Sequence, residues 1–208
     1  MSCSSLYGIK KDYVGEELCE YKNSWLFSPI VWDVLSDKYI PLDIKTPYGL
    51  KRSIVTDISG EIWRKLNNIM NNSDNTPDRI CWEMSNQQIF STKDKECITN
   101  NIRKFIEQNK EYDKNAEDNI SPLEREHIIK RFNEIINDII ELDENEYPYF
   151  VFKNTSVDDN VEGWFYDYDG NDEYIDKSLK DWDRIVAEFV IIENDKITDF
   201  VNNLDYKY

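Results

Sequence analysis

The chain has few of the residues that build recognisable catalytic and metal sites. Its 208 residues include six glycines, four cysteines and one histidine. The glycines form neither a G-x-G-x-x-G fingerprint nor a P-loop, which argues against those nucleotide sites. No two cysteines form a C-x-x-C pair, the spacing typical of structural zinc. His127 is expected at the edge of an amphipathic helix. We therefore expect no cofactor, no metal and no catalytic residue that the sequence can identify.

Long apolar runs are also absent. The longest nearly continuous one covers residues 185–192 and is interrupted by Glu188, whereas a membrane-spanning helix needs about 20 apolar residues. The first residues lack the basic and then apolar pattern of a signal peptide. Four cysteines in so long a chain do not indicate a disulfide framework either. We expect a cytoplasmic protein that does not contact membranes.

Aromatic residues, by contrast, are plentiful. They make up 13% of the chain, and hydrophobic residues as a whole make up 40%. A disordered chain would be poor in these residues, so the composition predicts a folded body. The length suits one domain, and we expect a single domain over residues 1–208.

Negative charge is confined to the second half of the chain. Residues 1–104 carry 14 acidic and 14 basic side chains, whereas residues 105–208 carry 28 acidic and 11 basic ones. The net charge of −17 therefore lies entirely in the second half. Its densest part, residues 158–176, contains no lysine or arginine. We call this stretch the acidic segment.

The acidic segment favours some partners over others. It repels nucleic acid, because nucleic-acid binding depends on lysine and arginine that neutralise phosphates. It attracts basic protein surfaces and speeds their encounter. A purely solvated surface that maintains solubility is the alternative explanation. The segregation of the charge favours a binding role, because solubility gives no reason for one half to be neutral.

Helical spacing of apolar residues dominates the first two thirds of the chain. Four helices are predicted near residues 29–38, 58–70, 93–112 and 121–142. The last has the strongest signal. Ser121 and Glu124 match a capping box with proline at the first helical position, and an apolar stripe follows, formed by Ile128, Phe132, Ile135, Ile139 and Leu142.

Strand patterns dominate the last third. Segments rich in aromatic and β-branched residues predict strands at residues 149–153, 161–168, 184–193 and 196–203. The last two are joined by a hairpin turn at Asn194-Asp195. Further strands are predicted at residues 39–44, 50–55 and 79–84. The expected fold class is α+β, with about four helices in residues 1–145 packed on an antiparallel sheet formed mainly by residues 148–204.

Aromatic residues interleave with the carboxylates of the acidic segment. In a strand, alternation would place Trp164, Tyr166 and Tyr168 on one face and Phe165 and Asp167 on the other. Tyrosine and tryptophan are enriched at interface hot spots, although one of the two sets is expected to fill the core. The predicted partner-binding residues are Asp158, Asp159, Glu162, Trp164, Tyr166, Asp167, Tyr168, Asp169, Asp172, Glu173 and Asp176.

A calcium loop is a second interpretation of the same residues. Asp167, Asp169 and Asn171 fit positions 1, 3 and 5 of an EF-hand loop. Asp172 stands where glycine is needed, and Ser178 stands where the bidentate glutamate is needed. A tight turn is therefore expected here in place of a metal site.

Together these observations predict an acidic inhibitor that occludes a basic, nucleic-acid-binding partner without contacting nucleic acid itself. The preferred setting is an immunity protein against a nuclease-type toxin, because the neutral remainder suggests a shaped body with one acidic face. A phage DNA mimic that inhibits a restriction or CRISPR system is the alternative within this class. An enzyme with an unrecognised site is the alternative outside it.

Overall fold

The structure is a computed structural model that describes residues 3–22, 27–40, 54, 59–110, 122–153, 161–168, 170 and 173–207. The side chains of residues 3, 22, 122, 162 and 168 are outside that description. The helices are α1 (Phe27–Tyr39), α2 (Glu61–Asn71), α3 (Thr76–Ser85), α4 (Lys95–Asn109), α5 (Glu126–Glu141) and α6 (Val161–Phe165). The strands are β1 (Cys3–Ile9), β2 (Gly15–Lys22), β3 (Ile89–Ser91), β4 (Tyr149–Lys153), β5 (Tyr166–Tyr168), β6 (Tyr174–Asp176), β7 (Glu188–Glu193) and β8 (Lys196–Asn202).

Six strands form one mixed sheet in the order β2-β1-β4-β3-β7-β8, and β5 and β6 form a separate two-stranded ribbon. Every neighbouring pair of the large sheet is antiparallel except β3 and β7, which run parallel. The predicted α+β class, with helices packed on a sheet, is confirmed. The sheet is less confined to residues 148–204 than expected, because β1, β2 and β3 all precede that range.

One face of the sheet is covered by helices. Alternation along β4 turns Phe150 and Phe152 toward this face and Val151 toward the other. The predicted stripe of α5 is buried here, and Phe132 packs on Phe27 of α1 with ring centroids 4.9 Å apart. This helical side holds the larger of the two hydrophobic cores.

The opposite face of the sheet carries a second, aromatic core. Tyr7, Val151 and Phe189 point to this side, and Tyr149 and Tyr206 pack at its margin. The cover consists of the described residues between 161 and 187, which include α6, the β5–β6 ribbon and a 3-10 helix at Leu179–Asp181. We call residues 161–187 the covering layer. The sheet therefore lies between a thick helical layer and a thin one of mixed structure.

The predicted strand at residues 79–84 is wrong, because these residues lie in α3. The Asn75 side chain accepts a hydrogen bond from the Asp78 N–H at 3.3 Å, and Pro77 lies in the first turn, so the segment starts as a capped helix. Alternation of Ile80, Trp82 and Met84 suggested a strand. The intervening residues are buried as well, so the alternation did not separate an apolar face from a polar one.

The sequence patterns missed β1 and β2. β1 lies in the interior of the sheet between β2 and β4, with Leu6 in the helical core and Tyr7 and Ile9 in the aromatic core. Serine and glycine interrupt its apolar residues, which weakens the strand signal. In β2 the first residue must be small, because a Cβ at Gly15 would overlap the ring of Phe165 in the covering layer.

The other helix and hairpin predictions agree with the structure apart from their ends. The fourth predicted helix corresponds to α5, and the predicted capping box does not begin it. α5 begins at Glu126, after a 3-10 helix at Pro122–Glu124, and Ser121 is outside the described residues. The β7–β8 turn has positive φ at both Asn194 and Asp195, as expected for a tight two-residue hairpin. The strands predicted at 39–44 and 50–55 fall almost entirely outside the described residues. Among the described residues, no helix is long and apolar enough to cross a membrane.

Candidate protein-binding surface

The described residues of the acidic segment lie in the covering layer and outside the six-stranded sheet, contrary to the prediction that this segment forms a strand of that sheet. Of the strand predicted at residues 161–168, residues 161–165 form the short helix α6 and residues 166–168 are extended as β5. Trp164 therefore does not alternate with Tyr166 along a strand. It is 9% exposed and belongs to the aromatic core.

The covering layer is fixed to the sheet at several points. Phe165 stacks on Tyr7 with ring centroids 6.0 Å apart. The Leu179 N–H donates to the Tyr13 carbonyl at 3.0 Å, and the Ser178 hydroxyl donates to the Asp12 carbonyl at 2.5 Å. These contacts lie before and after the ribbon, so the ribbon is held at both ends while its strands face solvent.

The β5–β6 ribbon presents carboxylates and apolar side chains together. Its register pairs Tyr166 with Asp176 and Asp167 with Ile175. Alternation therefore places Tyr166, Tyr174 and Asp176 on one face and Asp167 and Ile175 on the other. Tyr174 is 67% exposed and Ile175 is 48% exposed. Each face of the ribbon therefore presents one exposed apolar side chain together with a carboxylate.

The described carboxylates of the ribbon remain exposed to solvent. Lys177 Nζ lies 3.0 Å from Asp167 Oδ2, and this carboxylate remains about half exposed. Glu173 and Asp176 are both exposed. An exposed carboxylate keeps most of its hydration, so a partner's cation can approach it at little cost.

The predicted site residues divide into three groups. Asp167, Glu173, Asp176 and the half-buried Tyr166 lie on or beside the ribbon. Trp164 lies in the core. The remaining six are outside the described residues or have undescribed side chains: Asp158, Asp159, Glu162, Tyr168, Asp169 and Asp172. Asp169, Asn171 and Asp172 of the partial calcium loop are therefore outside the description, and no metal-ligand cluster exists among the described residues.

Sequence reasoning missed the groups that continue this surface beyond the ribbon. Lys177 Nζ lies 3.9 Å from the ring centroid of Trp182, and the Arg184 guanidinium lies 5.0 Å from it. Ile185 is 59% exposed. It was expected in a strand that starts at residue 184, but β7 starts only at Glu188. The run of aromatic residues among carboxylates continues to Trp182 in the sequence. No charge pattern indicated that Lys177 and Arg184 would lie against its ring.

A polar cleft of about 740 Å³ lies elsewhere, between α4, the start of α3 and the β7–β8 turn. Its one thiol is Cys97, whose pKa is raised to about 11 by burial and then by Asp195. A protonated thiol is a poor nucleophile. His127 is exposed on α5 and does not line the cleft. Apart from Pro77, the lining side chains are polar or charged, unlike the apolar walls of most small-molecule sites.

The described residues therefore bring exposed acidic and apolar side chains together on one surface. Comparison of the chain with family models, curated proteins and solved structures gives no match.

Proposed function

We propose that this protein is a cytoplasmic inhibitor that docks its covering layer on a basic, nucleic-acid-binding protein. The observation that carries the proposal is the exposed ribbon, where Glu173 and Asp176 stand beside Tyr174 and Ile175 on an anchored support. Such a surface supplies charge for steering and apolar area for affinity. Its carboxylates would bind where the phosphates of the nucleic acid bind on the partner.

Within this class we favour an immunity protein against a nuclease-type toxin. The neutral first half of the chain supports a body with one acidic region. A phage DNA mimic that acts on a restriction or CRISPR system works by the same charge replacement, and identification of the partner distinguishes the two.

The first experiment is a pull-down with the tagged protein from host lysate, and from lysate of cells that express candidate toxins. We expect recovery of one basic nucleic-acid-binding protein that is released as salt is raised, since salt screens exposed charges. That partner is then purified, and its binding to a labelled duplex is measured with and without the protein. Competition is expected. A partner that still binds the duplex at saturating protein would contradict occlusion.

Charge reversal then locates the interface. We compare Glu173→Lys/Asp176→Lys with a control, Glu20→Lys/Glu144→Lys, that makes the same change in net charge at exposed positions away from the ribbon. The ribbon variant is expected to weaken partner binding about tenfold or more, and the control by no more than about twofold. Equal losses would show that only total charge matters, and the ribbon would not be the site.

A further inference from the structure

A groove of about 370 Å³ opens on the covering layer, lined by Gly163, Trp164, Trp182, Arg184, Ile185 and Val186. Two indoles, two aliphatic side chains and the Arg184 side chain line it, so its walls offer both apolar and polar groups. Ile185, on its rim, leaves 59% of its surface exposed. A Cβ built on Gly163 would meet no atom within 4 Å, so the groove is open on that side.

The groove adjoins the ribbon through direct contacts. Lys177 joins the two, because its Nζ is 3.0 Å from Asp167 of the ribbon and 3.9 Å from the ring centroid of Trp182. The Trp182 indole N–H donates to the Trp164 carbonyl at 3.0 Å, which fixes the groove wall. The exposed acids and the groove therefore belong to one continuous surface.

The charges around the groove determine what can enter it. Lys177 and Arg184 already lie over the Trp182 ring, so a further cation there would meet like charge. A partner's lysines and arginines are instead drawn to Glu173 and Asp176. An uncharged, apolar side chain suits the groove itself, because the half-buried Trp182 and the exposed Ile185 lose exposed surface when it binds.

We propose that the groove receives one large apolar side chain, aromatic or aliphatic, from a basic partner whose flanking lysines or arginines contact the ribbon. This inference rests on the proposed function and refines its chemistry. It defines a recognition pattern in which one apolar anchor carries most of the affinity, as at interface hot spots, and the surrounding charges steer the partner.

Two labelled peptides of equal charge test the proposal on the whole protein. One is acetyl-Lys-Lys-Phe-Lys-Lys-amide, and the other has alanine in place of phenylalanine. Binding is measured by fluorescence anisotropy at low salt. We expect both peptides to bind, with the phenylalanine peptide about tenfold tighter. Equal affinities would overturn the groove proposal and leave the charge attraction standing. No binding by either peptide would contradict the proposed function itself.

Variants connect that preference to the groove. Gly163→Phe fills the groove from a position with free space, and Ile185→Ser removes its apolar rim at an exposed site. Each is expected to abolish the tenfold preference while the alanine peptide binds as before. Leu204→Ser, at a residue that is 49% exposed and does not line the groove, is the matched control and should keep the preference. An unchanged preference in the groove variants would overturn the proposal.

A second copy of the chain is the competing occupant. Sedimentation velocity at increasing protein concentration distinguishes a second copy of the chain from a basic partner as the occupant of the groove. We expect a monomer throughout. A dimer that Ile185→Ser dissociates and Leu204→Ser does not would show that the groove is an interface between copies, and would overturn the assignment to a basic partner.

Discussion

Carboxylates on the two sides of the sheet differ in their burial and in how they are hydrogen-bonded. On the helical face Asp78 is fully buried, and Lys38 Nζ and the Tyr39 hydroxyl both donate to its Oδ2 at 2.6 Å. Asn109 donates to its other oxygen at 3.1 Å. On the covering layer Asp167 and Asp176 are exposed. A buried charge must be matched by partners within the fold, whereas an exposed one keeps most of its hydration and depends less on such partners.

The sharpest way to break this comparison is to remove the buried carboxylate. Asp78→Ala leaves the Lys38 ammonium, whose side chain is 13% exposed, without its anion. We expect a loss of about 3–5 kcal/mol in the free energy of unfolding. Urea denaturation measures it. Asp176→Ala on the ribbon is the contrasting variant and should change stability by less than about 1 kcal/mol. Similar losses for both variants would show that burial does not separate the two faces.

Glu83 on the helical face is buried without the partners that Asp78 has. It is 3% exposed, and its Oε1 has no hydrogen-bond partner among the described residues. Burial raises its pKa to about 7, with Arg79 opposing that shift and Glu188 adding to it. The folded state thus holds a proton that the unfolded state releases near its ordinary pKa of 4.5.

The sign of the resulting pH dependence follows from this difference. Stability from the protonated carboxyl is fully present below pH 4.5 and is lost as pH rises through about 7. The loss is on the order of 3 kcal/mol. Urea denaturation at pH 5, 6, 7 and 8 should show wild-type stability falling relative to Glu83→Gln, which carries no titratable group. Parallel pH profiles for the two proteins would contradict a raised pKa at this residue.

The covering layer depends on close approach between Gly15 and Phe165. A Cβ at Gly15 would overlap the Phe165 ring, so Gly15→Ala should cost about 1–3 kcal/mol through overpacking. Thermal unfolding measures it. Gly163→Ala makes the same chemical change where a Cβ meets no atom within 4 Å, and it should be neutral or slightly stabilising. Equal effects would mean that the covering layer does not rest on β2 as described.

The two faces were also unequally predictable from sequence. The helices were predictable from periodic apolar residues, as in α5, because a helix with one buried face has apolar residues at helical spacing. β1 and α3 did not, since both are buried on more than one side and show no alternation of environment. Trp164 was misplaced for a related reason: aromatic residues in an acidic stretch suit a surface strand and a short core helix equally well.

The candidate surface was predictable in its charge and unpredictable in its geometry. The acids of residues 158–176 are visible in the sequence, and three of the predicted ones are exposed on or beside the ribbon. The groove depends on Trp182, Arg184 and Ile185, which are distant in sequence from Gly163 and Trp164. Contacts between segments this far apart arise from the fold, and spacing rules describe only neighbours along one element.

The smallest predicted effect concerns Lys177, which joins the ribbon to the groove. Lys177→Ala removes both its ion pair with Asp167 and its contact with Trp182, whereas Asp167→Ala removes the ion pair and leaves the contact between Lys177 and Trp182. We expect losses of about 1 kcal/mol for Lys177→Ala and about half that for Asp167→Ala, measured by urea denaturation.

The double variant Asp167→Ala/Lys177→Ala completes the cycle. Its loss should be smaller than the sum of the two single losses by about half a kcal/mol, because each single variant already removes the same ion pair. Additive losses would mean that the ion pair between Asp167 and Lys177 contributes nothing to stability. Lys177 would then no longer explain how the acidic ribbon and the groove are held as one surface.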